Sequence, residues 1–295
     1  MSGTNPSRPP EQALAAAHAI ASKADPPGSG AQLDLELFSI ISGIGQGEFA
    51  PSYQPLRSLH TGLIAGVEAL ARWHRPGFGA VAPADFIPQL ERGARASDLT
   101  AWMIERTCLD LARWSERFEL PDGFVGAVNV SATEFGDDRL VEFVREALGH
   151  TSIPAERLCL ELTETAQLTD LGRARALMSD LRELGVRLAL DDFGAGHMGD
   201  AELDALPVDL VKIDMRYVLH VTTDADCRHF VSRTVARAEA RDQRVVAEGI
   251  EQGEQARILR DLGCAFGQGF GLGRPGPGDA VLAAFTNLRA AALGG

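Results

Sequence analysis

Residues 171–192, LGRARALMSDLRELGVRLALDD, place a helical pattern, a glycine and an apolar strand in immediate succession. Four apolar residues recur at helical spacing and predict one buried helix face: Leu171, Ala174, Met178 and Leu181. Gly185 follows at the position of a C-terminal glycine cap. Residues 186–190 are mostly apolar and predict a strand, which ends on the adjacent pair Asp191 and Asp192. This stretch therefore predicts one helix–strand unit of an α/β fold.

The same alternation of strand and helix continues along most of the chain. Further apolar strand candidates lie at residues 125–130, 157–162, 210–213, 244–247 and 264–266. Two more candidates, residues 49–59 and 63–73, are joined by only His60, Thr61 and Gly62. So short a link joins antiparallel strands but not parallel ones. Eight strands in roughly 260 residues predict a modified TIM (β/α)8 barrel, an α/β fold, with an antiparallel first strand.

Composition limits the class of protein. The 295 residues are 45% hydrophobic and carry a net charge of -13, which argues against holding a DNA or RNA polymer by phosphate contacts alone. No apolar run in the sequence approaches the ~18–20 residues of a membrane span. The four cysteines are far apart in sequence, so we expect buried, reduced thiols and a cytoplasmic location. These features predict a globular protein with no membrane segment within this chain.

Residues 1–33 differ in composition from the rest of the chain. Two Pro-rich patches flank an Ala-rich piece at residues 12–24 that offers little apolar bulk. We therefore expect residues 1–33 to form a flexible N-terminal tail or linker, and residues 34–295 to form the barrel domain. The sequence leaves open whether this barrel is a complete protein or one domain of a longer one.

Polar residues follow most of the predicted strands. Each alone is typical of a turn, a helix cap or a surface charge, but the C-terminal strand ends of an α/β barrel form one rim. Five carboxylates on one rim repel one another unless cations neutralise them. An all-oxygen donor set suits Mg²⁺, Mn²⁺ or Ca²⁺, and the excess over one ion predicts two ions ~3.5–4 Å apart. The rim residues are Glu68, Asn129, Glu161, Asp191, Asp192, Lys212, Glu248 and Gln268.

Short motifs carry these rim residues. They are Glu68-Ala69-Leu70-Ala71-Arg72-Trp73, Asn129-Val130-Ser131, Glu161-Leu162-Thr163-Glu164, Asp191-Asp192-Phe193-Gly194, Lys212-Ile213-Asp214, Glu248-Gly249-Ile250-Glu251 and Gly267-Gln268-Gly269-Phe270. This series, in this order, closely resembles the EAL-domain family of cyclic di-GMP phosphodiesterases over about residues 34–290. The resemblance implies a metal-dependent enzyme that hydrolyses cyclic di-GMP to linear pGpG.

The resemblance also implies a role for each position. The implied ligands of a first Mg²⁺ or Mn²⁺ ion are Glu68, Asn129, Glu161 and Asp191. The implied ligands of a second ion are Asp191, as a bridge, Asp192 and Glu248. Lys212 corresponds to the residue that holds the attacking water, and Glu248 is also considered a general base. The implied contacts to the dinucleotide are Gln54, Leu70, Arg72 and Gln268. Glu164 and Glu251 correspond to residues that support the loop after the paired aspartates.

This loop departs from the family pattern. The family has Asp-Asp-Phe-Gly-Thr-Gly-Tyr-Ser-Ser, whereas residues 191–199 are DDFGAGHMG, so Ala195 and His197 replace the threonine and the tyrosine. In the family the loop supports the second metal, through a hydrogen bond from the threonine to the equivalent of Glu164, and contributes to a homodimer interface. We interpret His197 as a solvated side chain and not as an extra ligand.

Two alternative interpretations remain open at this point. A catalytically silent or weakly active EAL-type receptor would bind cyclic di-GMP and act through a protein partner. An enolase-type lyase or racemase would also place acidic residues and a lysine at successive strand ends of a barrel. Such enzymes normally carry a large N-terminal capping domain, which residues 1–33 are too short to supply.

Overall fold

A computed structural model of the protein describes residues 31–131, 134, 137–163, 171–196 and 200–284. The chain divides into two compact units, one formed by Pro51–Leu70 with Met103–Gly295, and the other by Met1–Ala50 with Ala71–Trp102. Residues 1–30 lie outside the described residues, so the N-terminal tail stays a prediction. The first described helix already begins at Ala31.

The strands form one continuous sheet. Their bounds are β1 (Phe49–Ser58), β2 (Ile64–Arg75), β3 (Gly79–Val81), β4 (Val125–Val130), β5 (Leu158–Thr163), β6 (Arg187–Phe193), β7 (Leu210–Ile213), β8 (Arg244–Ala247) and β9 (Phe266–Gly267). The order is β1-β9-β8-β7-β6-β5-β4-β2, and a further pairing of β1 with β2 closes the barrel. Pairing is parallel from β2 round to β9, whereas β1 is antiparallel to β9. The predicted modified TIM barrel with an antiparallel first strand is thus confirmed.

The helices alternate with the strands after β3. Their bounds are α1 (Ala31–Gln46), α2 (Pro83–Arg92), α3 (Ala96–Arg117), α4 (Arg139–Thr151), α5 (Leu171–Glu183), α6 (Asp200–Ala205), α7 (Met215–Leu219), α8 (Ala225–Glu239) and α9 (Gly253–Asp261). In α5, Ala174, Met178 and Leu181 are buried as predicted. Gly185 has a φ of 91°, a left-handed conformation that favours glycine, and its amide donates to the carbonyl of Arg182.

The interior of the barrel is filled by small and medium-sized apolar side chains from six strands. This cluster consists of Leu56, Val125, Ala127, Cys159, Ala189, Leu210 and Val246, with Phe266 packed against it. Because side chains on one strand alternate between two faces, the residue two places further along also points into the barrel. The cluster therefore determines which residues reach the C-terminal rim.

The second unit has an aromatic core of its own. Phe49 stacks on Trp73 with ring centroids 5.5 Å apart, and Phe86 meets Phe49 edge-on at 5.4 Å. The indole nitrogen of Trp73 donates to Glu48 at 2.8 Å, which satisfies a half-buried polar group. The strand β3 pairs with the last residues of β2 in this unit. The sequence analysis did not predict α2. It also did not predict β3, which is only three residues long.

Two expectations from composition can be compared with the structure. Within the described part of the chain, every helix is too short or too polar to cross a bilayer. All four cysteines are free, and Cys108, Cys159 and Cys264 are buried. The expectation of burial is wrong for Cys227, which is half-buried on the helix α8.

Candidate active site

The rim residues follow directly from the strand periodicity. Asn129, Glu161, Asp191, Lys212 and Glu248 each lie two places after a residue of the buried apolar cluster. The period of two along a strand therefore directs their side chains into the C-terminal mouth of the barrel. Most of the rim residues are buried, whereas Asn129 is exposed and Asp192 and Glu248 are half-buried. The buried members are Glu68, Glu161, Asp191, Lys212 and Gln268.

A bulge in β6 accounts for the neighbouring aspartates. The pairing of β6 with β7 shifts between Leu190 and Phe193, so that β6 contains one extra residue. Adjacent residues of a regular strand point to opposite faces, but here ligand atoms of both Asp191 and Asp192 lie with Glu248 in one group. Asp192 has a φ of 56°, and its amide donates to Oδ1 of Asp191 at 3.0 Å. The bulge thus brings two adjacent carboxylates to the same mouth.

Lys212 is the cation at the centre of the rim. Its Nζ lies 2.8 Å from Glu161, 2.9 Å from Asp191, 2.8 Å from Glu248 and 3.7 Å from Glu68. Its side chain is 2% exposed. Burial alone would lower its pKa, but the surrounding carboxylates outweigh burial and hold the pKa well above its ordinary value. Lys212 is therefore charged at every physiological pH.

Glu68 accepts hydrogen bonds from two side-chain amides of the rim. Asn129 Nδ2 donates to Oε1 at 2.6 Å, and Gln268 Nε2 donates to Oε2 at 2.5 Å. Burial raises the pKa of Glu68, but Lys212 and these two amides more than offset burial, so the pKa lies below its ordinary value. Glu68 is thus held ionised. The amide oxygen of Asn129 is left out of this bond and can serve as a further ligand.

Three other carboxylates of the rim, Glu161, Glu248 and Asp192, have raised pKa values. Burial, followed by the neighbouring acidic groups, raises the pKa of Glu161 well above its ordinary value. Burial and the charge of Asp191 raise the pKa of Glu248 to about 8, despite the opposing effect of Lys212. Burial, Asp191 and Asp214 raise the pKa of Asp192 to about 6. One ammonium therefore does not neutralise all the carboxylates of the rim.

These carboxylates form two groups that could hold metal ions. In each group, one ligand atom per residue lies within 4.8 Å of the others: Glu68, Glu161 and Asp191, and Asp191, Asp192 and Glu248. Asp191 belongs to both groups. Oxygen donors suit hard divalent cations such as Mg²⁺ and Mn²⁺, and the five carboxylates of the rim outnumber its one ammonium. The donor set therefore fits the cations expected from the sequence.

The other predicted site residues each have contacts of their own. Gln54 Nε2 donates to the carbonyl of Gly273 at 3.4 Å, and Leu70 is half-buried on β2. Arg72 belongs to the other compact unit, where its guanidinium donates to the carbonyl of Ala71 at 2.9 Å. Glu251 is exposed, and its amide donates to Gln255. Glu164 and His197 lie outside the described residues, so their roles stay predictions.

The sequence analysis assigned no role to Asp214 or Tyr217, which lie near the end of β6. Asp214 is buried, its side chain accepts from the amide of Arg216, and it contributes to the raised pKa of Asp192. Tyr217 donates from its hydroxyl to the carbonyl of Gly194. The position of Asp214 directly after Lys212-Ile213 was the available signal, whereas nothing local to Tyr217 indicated a contact with residue 194.

Comparison with known proteins identifies related chains. A family model described as EAL domain matches residues 39–275. An uncharacterised protein of Mycobacterium tuberculosis is 38% identical over 248 residues, which are 84% of this chain and 40% of that protein. The bifunctional diguanylate cyclase/cyclic di-GMP phosphodiesterase MucR of Pseudomonas aeruginosa is 33% identical over 85% of this chain and 36% of MucR. This chain thus spans well under half of these curated relatives.

A solved structure is similar to this chain in fold as well as in sequence. The complex of the PaMucR phosphodiesterase with c-di-GMP superposes with a TM-score of 0.77 at 32% identity, and the match covers 84% of this chain and 100% of that one. The match of the family model to most of the globular chain rules out the enolase-type interpretation.

Proposed function

Because the chain belongs to the EAL domain family, we propose that it hydrolyses one phosphodiester bond of cyclic di-GMP and releases linear pGpG. The observation that carries the proposal is the position of Asp191, which belongs to both carboxylate groups and lies 2.9 Å from Lys212. The likeness to a phosphodiesterase in complex with c-di-GMP supports the choice of substrate. Since the chain spans 36% of MucR, the proposal concerns the activity of this barrel.

The proposed first site for Mg²⁺ or Mn²⁺ consists of Glu68, Asn129, Glu161 and Asp191, and the second of Asp191, Asp192 and Glu248. Such ions, when bound, lower the pKa of a water molecule and take up negative charge on the phosphate. The support is the density of ionisable oxygens around one buried ammonium. The proposal thus includes both the choice of metal, Mg²⁺ or Mn²⁺, and the number of ions, which is two.

Lys212 and Glu248 are proposed to act on the attacking water. The ammonium of Lys212 has three N–H donors. In this structure they point toward Glu161, Asp191 and Glu248. We propose that it orients the water for attack on phosphorus. The pKa of about 8 for Glu248 applies to the protein without cations, and we propose that its carboxylate accepts the proton of the water. Its carboxylate lies 2.8 Å from the ammonium of Lys212.

Substrate contacts and assembly are proposed from the family resemblance. The proposed contacts to the dinucleotide are Gln54, Leu70, Arg72 and Gln268. Arg72 suits a phosphate oxygen because its guanidinium presents a planar pair of donors. Glu164 and Glu251 are proposed to support the loop that follows Asp192. A homodimer is proposed as well, and light scattering of the purified protein would measure its mass directly.

The proposal is tested by incubating the purified protein with cyclic di-GMP and Mn²⁺ or Mg²⁺ and separating the nucleotides by chromatography. We expect pGpG to accumulate, and EDTA to abolish its formation. Asp191→Asn should lose turnover by orders of magnitude, because it weakens both carboxylate groups. Asp261→Asn on the exposed surface of α9 is the matched control and should keep turnover.

The same experiment separates an enzyme from a receptor. Calorimetry of cyclic di-GMP binding, run in parallel, detects binding that does not lead to product. Binding without pGpG in either metal would contradict hydrolysis and support the silent receptor. Turnover that persists in excess EDTA would contradict the metal sites and leave hydrolysis itself intact.

A further inference from the structure

Two side chains of the helix α7 donate to one backbone carbonyl in the loop after the paired aspartates. The carbonyl of Gly194 accepts from the hydroxyl of Tyr217 at 3.3 Å and from Nη2 of Arg216 at 3.3 Å. Both donors belong to the short helix α7, which begins directly after Asp214. The backbone two residues beyond Asp192 is therefore tied to α7.

An aromatic stack reinforces this connection. Tyr217 lies on Phe230 with centroids 3.7 Å apart and an interplanar angle of 8°, and Phe230 also stacks on Phe193 at 5.9 Å. A Cβ atom added at Gly194 would lie 2.6 Å from ring atoms of both Tyr217 and Phe230. The glycine therefore lets the backbone approach the stack closely enough for its carbonyl to reach the hydroxyl.

The tied carbonyl is close in the chain to the second carboxylate group. The amide of Ala195 donates to the carbonyl of Asp192 at 2.9 Å, which closes a turn around Phe193 and Gly194. Asp192 and Glu248 share a group with Asp191. Motion of the turn would consequently move the carboxylate of Asp192. Ala195 itself has no side-chain donor to hold this turn.

We propose that Tyr217 is a positioning residue for the second cation site: its hydroxyl, on a ring held by Phe230, fixes the turn so that Asp192 meets Asp191 and Glu248. The inference rests on the proposed function, because it assumes that this group binds a cation. In this inference, side chains of α7 and α8 hold the turn at Phe193 and Gly194, because Ala195 has no side-chain donor to do so. Arg216 shares the carbonyl, so loss of the hydroxyl alone weakens the support and does not abolish it.

The test compares Tyr217→Phe with the wild-type protein in direct Mn²⁺ titrations by calorimetry. Phenylalanine keeps the stack on Phe230 and removes only the hydroxyl. The dissociation constant of the weaker Mn²⁺ site should rise about threefold to tenfold, as expected for one lost hydrogen bond, while the tighter site stays unchanged. Hydrogen exchange of residues 193–196 in the metal-free protein should become faster.

Tyr53→Phe is the matched control, since Tyr53 is the other tyrosine of the chain and donates to Asp110 at 2.7 Å. It should lower thermal stability without changing either Mn²⁺ constant. Equal Mn²⁺ constants for wild type and Tyr217→Phe, or the same shift in Tyr53→Phe, would overturn the inference. A wild-type protein that binds no Mn²⁺ would overturn the proposed metal sites as well, so the two failures are distinct.

Discussion

The ammonium of Lys212 donates to Oε2 of Glu161 at 2.8 Å, and both side chains are almost completely buried. The two residues lie on β7 and β5, and β6 separates these strands in the sheet. The contact therefore crosses the interior of the barrel. A buried charge is costly unless it is paired, so this contact fixes Lys212 at the centre of the rim.

Replacement of Lys212 by methionine should affect stability and turnover together. The variant leaves the buried carboxylates without their cation, which costs about 3–5 kcal/mol of stability, less where they take up protons. Turnover should fall by roughly 10²–10⁴-fold, as for loss of a residue that acts on the attacking water. Thermal unfolding in EDTA and in Mn²⁺ measures the first effect, and we expect Mn²⁺ to restore part of the stability.

Lys23→Met, at the other lysine of the chain, is the control for that experiment. It should match the wild type in both measurements. Near-normal turnover of Lys212→Met would show that another group orients the water.

Metal affinity should rise with pH. The folded-state pKa of Glu248 is raised to about 8 from 4.5, and that of Asp192 to about 6 from 3.8. A group with a raised pKa stabilises the metal-free fold fully below its unfolded pKa, and this contribution is lost as pH rises through the folded pKa. Cations compete with the same protons. We therefore expect Mn²⁺ to bind more tightly, and to stabilise the protein more, at pH ~8 than at pH ~6.

Calorimetry in two buffers of different ionisation enthalpy measures the protons released by Mn²⁺. Glu248→Gln should reduce this release, because the amide carries no titrating proton. An affinity that does not change with pH in the wild type would contradict the raised pKa values.

Gln268 should set the pH at which Glu68 becomes available to a cation. Its amide donates to Glu68 at 2.5 Å and helps to hold the pKa of that carboxylate low. Gln268→Met should weaken Mn²⁺ binding about tenfold at acidic pH, and less at pH ~8, since a bond to a charged group is lost. Gln243→Met is the control, because Gln243 is buried but donates to the carbonyl of Val208. If Gln268→Met weakened Mn²⁺ binding equally at both pH values, the cause would be steric and not a change in the pKa of Glu68.

Ala195→Thr should strengthen the second cation site. In the family pattern, a threonine at this position donates to the residue equivalent to Glu164, which lies outside the described residues here. The added hydroxyl should lower the Mn²⁺ concentration needed for half-maximal turnover, and the wild type should favour Mn²⁺ over Mg²⁺. A metal titration of both proteins at saturating cyclic di-GMP measures the change. Coincident curves would mean that the contacts of Gly194 with Tyr217 and Arg216 already hold the turn.

Deletion of residues 1–30 should leave turnover within about twofold of the full chain, because the segment has too little apolar surface to offset the entropy of ordering. The deletion ends before α1, so the helix that begins at Ala31 is retained. Turnover per molecule and molar mass, measured side by side, test this expectation. A large loss of turnover would show that the segment docks on the protein or joins two copies.

Much of the architecture was predictable from local patterns. The strand at residues 125–130 and those at 210–213 and 244–247 have the predicted bounds. The predicted strand at 186–190 is longer in the structure, since β6 runs from Arg187 to Phe193 through the bulge. A bulge depends on the pairing partner and has no periodic signature, so the sequence pattern stopped at the first aspartate.

The sequence by itself determined the closed α/β alternation and the acidic character of the rim, because both depend on residue type at regular spacing along single strands and helices. Only the tertiary structure decided that Lys212 contacts four carboxylates and that Tyr217 holds Gly194. Such contacts join residues of different strands and helices, and their distances follow from barrel closure, strand register and packing. Local sequence patterns do not encode these distances. The polar residues of the rim could therefore be predicted from the sequence, whereas their contacts with one another could not.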